Sequence, residues 1–225
     1  MPMKRKFVLS IMLLVLLLSL ICLCSCNKKP QANPSDNVSR ETTDYYAGES
    51  ENFAVTVEKG RRERVFIADG VVTDVIDFCD ITVTPLKVND LKQISYVLSA
   101  GDKTLSGTID GGTYGEFCSS ISLDFVPTAV KITANDKTDD IDLSSILDGA
   151  LTSKDVIDIA TAELKDKLAA EYAQGKPSRE IYLKLITADR ATYYYYVSFI
   201  GDGVDYWGML IDPKSGSIIT KNCAK

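Results

Sequence analysis

Short runs of alternating apolar and polar residues dominate the chain between residues 50 and 147. Phe53, Val55 and Val57 alternate with small or polar neighbours, and similar runs follow, separated by Gly, Asp, Asn and Pro. A period of two is typical of strands with one buried face, and turn residues at this spacing predict many short strands. Asp69-Gly70 predicts a hairpin turn between strands over Val65–Ala68 and Val71–Phe78.

A different pattern begins at Leu151. Thr152 or Ser153 is a suitable N-cap, and the acidic Asp155 would lie in the first turn, where it suits the helix dipole. An apolar stripe recurs every four residues and predicts one amphipathic helix that ends at Gly175 and Pro177. The stripe consists of Val156, Ala160, Leu164, Leu168 and Tyr172. Predicted strands follow over Glu180–Thr187, Thr192–Ile200, Asp205–Ile211 and Ser217–Lys221.

Together these patterns predict an α+β protein with two domains. Residues 50–149 would form an immunoglobulin-like antiparallel β-sandwich, for which this length of chain is sufficient. Residues 150–225 would form a small domain with one helix laid on an antiparallel sheet.

The second predicted domain resembles the PepSY domain family. The resemblance rests on the helix from Ser153, the strand Tyr193–Ile200 and the ending Met209–Ile219, in which a strand ends at Asp212 before a short turn with Gly216. It covers about 70 residues. The resemblance implies a non-catalytic role in binding or restraining exported peptidases, and the family supplies no catalytic residues to carry over.

One face of the predicted C-terminal sheet is rich in tyrosine. The helix can cover only one face, and the more apolar one contains Ile181, Leu183, Leu185, Tyr193, Tyr195, Val197 and Phe199. Side chains alternate along a strand, so the other face carries Tyr182, Lys184, Tyr194, Tyr196 and Tyr206. Tyrosines give a large contact area with a polar tip, which favours a recognition surface. The alternatives are a face packed on the sandwich and a solvated, Tyr-rich sheet.

The N-terminus predicts export and anchoring. Lys4, Arg5 and Lys6 precede an almost wholly apolar run over residues 7–23, as in a signal peptide over residues 1–25. Its end resembles a bacterial lipobox, with Ser25 directly before Cys26. The resemblance implies that Cys26 is lipidated and holds the protein in the membrane. The alternative is an uncleaved transmembrane anchor, and both interpretations place the remaining chain outside the cytoplasm.

Residues 26–49 predict a flexible tether behind the lipidated cysteine, because they are mostly polar and contain few aliphatic residues. The chain is acidic, with 25 Lys+Arg against 31 Asp+Glu. Removal of Lys4, Arg5 and Lys6 would make it more so. No basic stripe is present to bind phosphates, so we expect no nucleic-acid partner.

The chain contains no histidine. This excludes Ser-His-Asp and Cys-His catalytic sites within the chain and removes the commonest metal ligand. The cysteines after the signal are far apart and none forms a CxxC pair, so neither a zinc site nor a cofactor is expected. The acidic segment Asn135–Asp142 lacks the ligand spacing of a calcium loop and predicts a solvated hairpin.

Cys79 and Cys118 each follow a phenylalanine, and the sequence leaves open whether they form a disulfide or remain free thiols. The leading hypothesis is a membrane-anchored extracytoplasmic lipoprotein that binds a protein or peptide and is not an enzyme. The alternatives are an accessory envelope protein and, less favoured, a hydrolase that uses carboxylates alone.

Overall fold

The computed structural model describes residues 34–112, 117–173, 179–202 and 205–223. A short 3-10 turn at Pro34–Asp36 opens the described fold. The strands are β1 (Val38–Glu49), β2 (Phe53–Glu63), β3 (Val75–Pro85), β4 (Gln93–Ala100), β5 (Lys103–Asp110), β6 (Phe117–Ser120), β7 (Ala129–Ala134), β8 (Lys137–Asp142), β9 (Ser144–Ser145), β10 (Glu180–Thr187), β11 (Tyr193–Ile200), β12 (Tyr206–Ile211) and β13 (Ile218–Cys223). The helices are α1 (Ser153–Glu163) and α2 (Lys165–Ala173). The predicted signal peptide and Cys26 lie outside the described residues.

The strands form two sheets. A nine-stranded sheet has the order β13-β12-β11-β10-β1-β2-β3-β6, with β9 paired to β1 away from this path. The pairing of β1 with β10 is parallel, and the other pairs along this order are antiparallel. A four-stranded sheet has the order β5-β4-β7-β8. The predicted combination of antiparallel sheets and a helical segment is therefore present.

One hydrophobic core lies between the two sheets, and we call it the sandwich core. β2 contributes Phe53, Val55 and Val57, the alternating residues that predict this strand. The four-stranded sheet contributes a facing set of buried side chains, because its strands also alternate between buried and exposed residues. This set includes Ile94, Tyr96, Leu98, Ile109, Val130, Ile132 and Ile141.

A second core lies between the helices and β10–β12, and we call it the helix core. The helices contribute Val156, Ile157, Ala160, Leu164 and Leu168. The sheet contributes Ile181, Leu183, Leu185, Tyr195, Val197, Phe199, Trp207, Met209 and Ile211. The helices therefore cover the sheet face that the alternation of β10 and β11 predicts, and Tyr193 is partly buried beside it.

The predicted tether is wrong for residues 38–49, which form β1. This strand connects the two halves of the nine-stranded sheet, because it pairs with both β2 and β10. Tyr45 is buried in the helix core, and its neighbour Tyr46 is buried in the sandwich core. The polar residues of β1 therefore belong to a strand between two cores. For the same reason residues 50–149 and 150–225 do not form separate sheets.

The structure differs from two further local predictions. The predicted single helix is two consecutive helices that meet at Leu164, whose φ of −97° and ψ of 9° interrupt the helical backbone. The buried stripe nevertheless continues through this residue to Leu168. Val65–Ala68 do not form a strand. They belong to the long β2–β3 connection, in which Gly70 has a positive φ of 83°.

Candidate functional site

The structure places the five predicted binding residues on one face of β10–β12. Lys184 is directly opposite Tyr196, and Ile186 is opposite Tyr194. Alternation along the strands adds Tyr182 to the same face. Tyr206 is opposite Ile200 on the next pair of strands, which puts it on this face as well. We call the five predicted residues the tyrosine face. They are Tyr182, Lys184, Tyr194, Tyr196 and Tyr206.

The tyrosine face is accessible in the described structure. None of its five residues belongs to either core, and the helices lie against the opposite face of these strands. Tyr206 is 41% exposed, and the other four residues are half-buried. Of the predicted alternatives, a face buried against the sandwich therefore does not agree with the described residues.

Gly208 makes room for one of the tyrosines. A side chain at this position would meet the Tyr196 ring at 3.2 Å, so the ring lies close over the glycine backbone. This close approach holds the ring along the sheet surface. A flat ring of this kind offers an apolar area beside its hydroxyl.

Arg40 on β1 adjoins the tyrosine face, and Arg62 on β2 lies over the same phenylalanine ring as Arg40. The Arg40 guanidinium lies 5.7 Å from the Tyr182 ring centroid and 4.5 Å from that of Phe78. Arg62 lies 4.5 Å from the same Phe78 ring. All three distances are within the range of cation–π attraction. Arg40 also forms an ion pair of 2.9 Å with Glu58, so its charge is largely compensated.

Phe66 extends the aromatic surface beyond the sheet. It belongs to the β2–β3 connection, is 47% exposed, and its ring centroid lies 5.5 Å from that of Tyr182. Sequence reasoning missed both Phe66 and Arg40 as neighbours of the face. The apolar run Val65–Ile67 could have drawn attention to this loop, but its pattern alone favours a strand.

The chemistry of this surface suits reversible recognition. Burial raises the pKa of Tyr182, so its hydroxyl stays protonated at neutral pH and can both donate and accept a hydrogen bond. The ammonium group of Lys184 adds one positive charge among the phenols. Such a mixture of aromatic area, hydroxyls and a cation favours contact with the backbone and side chains of a peptide.

A disulfide between Cys79 and Cys118 is excluded by the sheet register, and both are free thiols. Cys118 is opposite Thr82 on β3 and therefore shares the face of Thr82. Cys79 is three residues from Thr82 on the same strand, so it points to the other face. Their side chains leave opposite sides of the sheet and cannot meet.

Cys79 lines an open cleft of about 650 Å³ at one end of the sandwich core. Lys59 and Asp77 also line the cleft. Burial raises the pKa of the Cys79 thiol to about 11. The thiol therefore stays protonated at neutral pH, and a protonated thiol is a poor nucleophile.

A buried arginine borders the helix core and was not predicted. Arg179 is 3% exposed and donates hydrogen bonds to Glu171 at 2.6 and 2.7 Å. It also pairs with Asp205, and its guanidinium stacks 3.6 Å from the Trp207 ring centroid. These contacts connect α2 with β11 and β12. No local pattern signals this role, because the partners are distant in sequence.

Glu180 is a second buried charge that the sequence did not reveal. It is fully buried, and neither carboxylate oxygen has a hydrogen-bond partner among the described residues. Burial, with the negative charges of Glu63 and Asp69, raises its pKa to about 7. A partner in solution cannot reach this buried carboxyl, so we assign it to the structure and not to a binding site. Its raised pKa makes that structural role sensitive to pH.

Within the described ranges, no cluster of three or more acidic or cysteine side chains could hold a metal ion. The segment Asn135–Asp142 forms the β7–β8 hairpin, as predicted, with Asn135 at a positive φ of 51°. The described helices are all too short to cross a bilayer. Comparisons with protein-family models, curated proteins and solved structures found no match to this chain.

Proposed function

We propose that this chain is a membrane-anchored extracytoplasmic lipoprotein that binds a protein or peptide through the tyrosine face and performs no catalysis. The observation that carries the proposal is the accessible row of Tyr182, Lys184, Tyr194, Tyr196 and Tyr206 on a sheet whose other face is filled by helices. A rigid sheet fixes the spacing of these side chains. Recognition would then cost little conformational entropy.

The partner class follows from the surface chemistry and from the resemblance to PepSY domains. Neutral phenols and one ammonium group suit an extended peptide or a protein loop. The resemblance adds an exported peptidase as the partner to test first, with the chain restraining its activity. An accessory envelope protein without such a partner remains the competing hypothesis.

The anchoring part of the proposal depends on Cys26. Cells that express the full chain would be labelled with an alkyne fatty acid. We expect the wild type to incorporate the label and Cys26→Ala to lose it. Cys24→Ala is the matched control, since Leu23 before it does not fit a lipobox, and it should stay labelled. Equal labelling of all three chains would contradict lipidation at Cys26.

The binding part is tested with the full chain extracted from membranes in mild detergent. The wild type and Tyr194→Ala/Tyr196→Ala would be compared for capture of exported proteins. Val97→Ala/Val126→Ala is the control, because these exposed side chains lie away from the tyrosine face. A captured protein would then be purified and titrated against each variant.

We expect the tyrosine variant to bind the purified partner at least about tenfold more weakly, because two recognition side chains are typical binding hot spots. The control should bind like the wild type. If the partner is a peptidase, the wild type should slow its hydrolysis of casein, and the tyrosine variant should do so less. Equal binding by all variants would favour the accessory-protein hypothesis.

A further inference from the structure

The β2–β3 connection exposes a cluster of large apolar side chains. Val65, Phe66, Ile67 and Val71 are 66%, 47%, 58% and 53% exposed. Other large exposed apolar residues of the described chain, such as Val126, lie in other elements. A cluster of this kind is unfavourable in water and marks a contact surface.

The connection is ordered, so its apolar side chains are held outward. At its base, Arg64 pairs with Asp74 through the side chains at 2.7 Å and through the backbone at 2.8 Å. Near the tip, the Asp69 carboxylate accepts a hydrogen bond from the Val71 N–H at 2.9 Å. These bonds satisfy polar backbone and side-chain groups of the turn. Phe66 contacts the Tyr182 ring, but none of the four apolar side chains belongs to either core.

The chain enters the fold beside this loop. The Asn37 side-chain amide donates to the Gly70 carbonyl at 3.0 Å and accepts from the Val72 N–H at 3.3 Å. Asn37 lies three residues after Pro34, the first described residue. Asn37 therefore contacts the residues on either side of the exposed Val71, and the polypeptide that carries the apolar run 7–23 joins the fold beside the apolar loop.

The covalent distance to the membrane anchor is short. Eight residue steps separate Cys26 from Pro34, and an extended chain of that length spans at most about 28 Å. β1 starts at this end and runs away from it for 12 residues, or about 40 Å. A bilayer that holds Cys26 is therefore within reach of the apolar loop.

The charged side chains near the loop do not create a basic surface that would attract anionic lipids. Arg64 is paired with Asp74, and Arg62 at the end of β2 is paired with Asp80. The chain as a whole is acidic. Attraction to anionic lipids would therefore be weak, and any contact with a bilayer has to come from the apolar side chains.

We propose that the β2–β3 connection is a membrane-contact loop, which inserts Val65, Phe66, Ile67 and Val71 into the interfacial layer of the bilayer that holds the anchor. The inference rests on the proposed membrane anchoring and adds an orientation to it. The end of the sheet that carries Asn37 faces the membrane. Tyr182, which contacts Phe66, and Tyr206, which the register places level with Glu180, would then be the members of the tyrosine face at the membrane end of the sheet.

The test uses the full chain in phosphatidylcholine vesicles that contain brominated acyl chains, which quench nearby tryptophan. The probe is Ile67→Trp, and the control is Val126→Trp, since these positions are 58% and 59% exposed. The native Trp207 is buried and gives the same background in both variants. Vesicle flotation measures the anchored fraction of each protein.

We expect Ile67→Trp to lose about half of its added fluorescence and Val126→Trp to lose almost none, as for a side chain at the acyl boundary. Quenching should persist at about 0.5 M salt, because apolar insertion is not screened. Val71→Trp provides a second probe if Ile67→Trp disturbs the loop.

Equal quenching of the loop and control variants in floating vesicles would overturn the loop proposal and leave anchoring intact. Failure of the wild type to float would overturn the anchoring itself, and the loop proposal with it. An emission shift of Ile67→Trp that depends on protein concentration without lipid would assign the loop to a contact between copies of this chain.

Discussion

The two cores of this protein are built differently. The sandwich core joins two sheets through aliphatic and aromatic side chains, and its border is formed by strands. The helix core joins two short helices to a half-sheet, and a buried Arg179 ties its border together. A helix pair covers its half-sheet on one side only. The opposite side of this half-sheet therefore remains available as the tyrosine face.

β1 makes the two cores interdependent, because Tyr45 and Tyr46 enter one core each. This relation is tested with Ile132→Ala in the sandwich core and Leu183→Ala in the helix core. Each should lower the free energy of unfolding by about 3 kcal/mol through a cavity. Trp207 fluorescence reports on the helix core, and we expect Ile132→Ala to shift the Trp207 transition as well.

Far-UV circular dichroism in urea measures the unfolding of the whole chain. In each variant, circular dichroism and Trp207 fluorescence should show a single transition at the same urea concentration. A Trp207 transition that Ile132→Ala leaves unchanged would show that the cores unfold independently, and would restore the predicted division into two domains.

The helix core should be the more sensitive to loss of a charge. Arg179→Met removes a buried guanidinium that bonds to Glu171 and stacks on Trp207, and we expect the free energy of unfolding in urea to fall by about 3 kcal/mol, with a shift in Trp207 emission. The control is Arg190→Met, which removes only an exposed pair with Glu49. That variant should stay within about 0.5 kcal/mol of the wild type. Equal effects would contradict the role assigned to Arg179.

The junction between the two halves should make stability depend on pH. The pKa of Glu180 is raised from 4.5 to about 7. Well below pH 4.5 the carboxyl is protonated in the folded and in the unfolded chain, so its ionisation does not change the free energy of unfolding. As pH rises, the unfolded chain releases this proton first. Stability should therefore fall between about pH 4.5 and 7, by up to about 3 kcal/mol.

Glu180→Gln cannot ionise and should flatten this dependence, which thermal unfolding at a series of pH values would measure. Glu51→Gln is the control, because Glu51 is exposed and its pKa is lowered by Lys87. It should leave the fall between pH 4.5 and 7 in place. An unchanged profile for Glu180→Gln would assign the dependence to other groups.

The smallest expected effect is at the start of α1. Thr152 and Asp155 form a reciprocal capping box, in which each side chain bonds to the backbone of the other. Thr152→Ala should cost about 1 kcal/mol, and Thr152→Ser should restore most of it. Urea unfolding followed by Trp207 would measure both. If Thr152→Ala costs nothing, the cap adds little to the packing of the helix.

Elements with strong local patterns were predictable from the sequence. The strand Glu180–Thr187 has the predicted bounds, and the helical segment begins at the predicted cap. The composition of the tyrosine face followed from alternation along three predicted strands. These features depend only on neighbours within a few residues, which is what a periodic pattern encodes.

The sequence by itself determined the β-rich character of the chain, the helical segment, and which tyrosines share a face. Only the tertiary structure decided that residues 38–49 form a central strand, that Cys79 and Cys118 lie on opposite faces, and that Glu180 is buried. β1 has too few aliphatic residues to predict its own burial, and it is ordered by partners from both halves of the chain. Such long-range pairing has no local signature, because its stabilising contacts form only when distant segments meet.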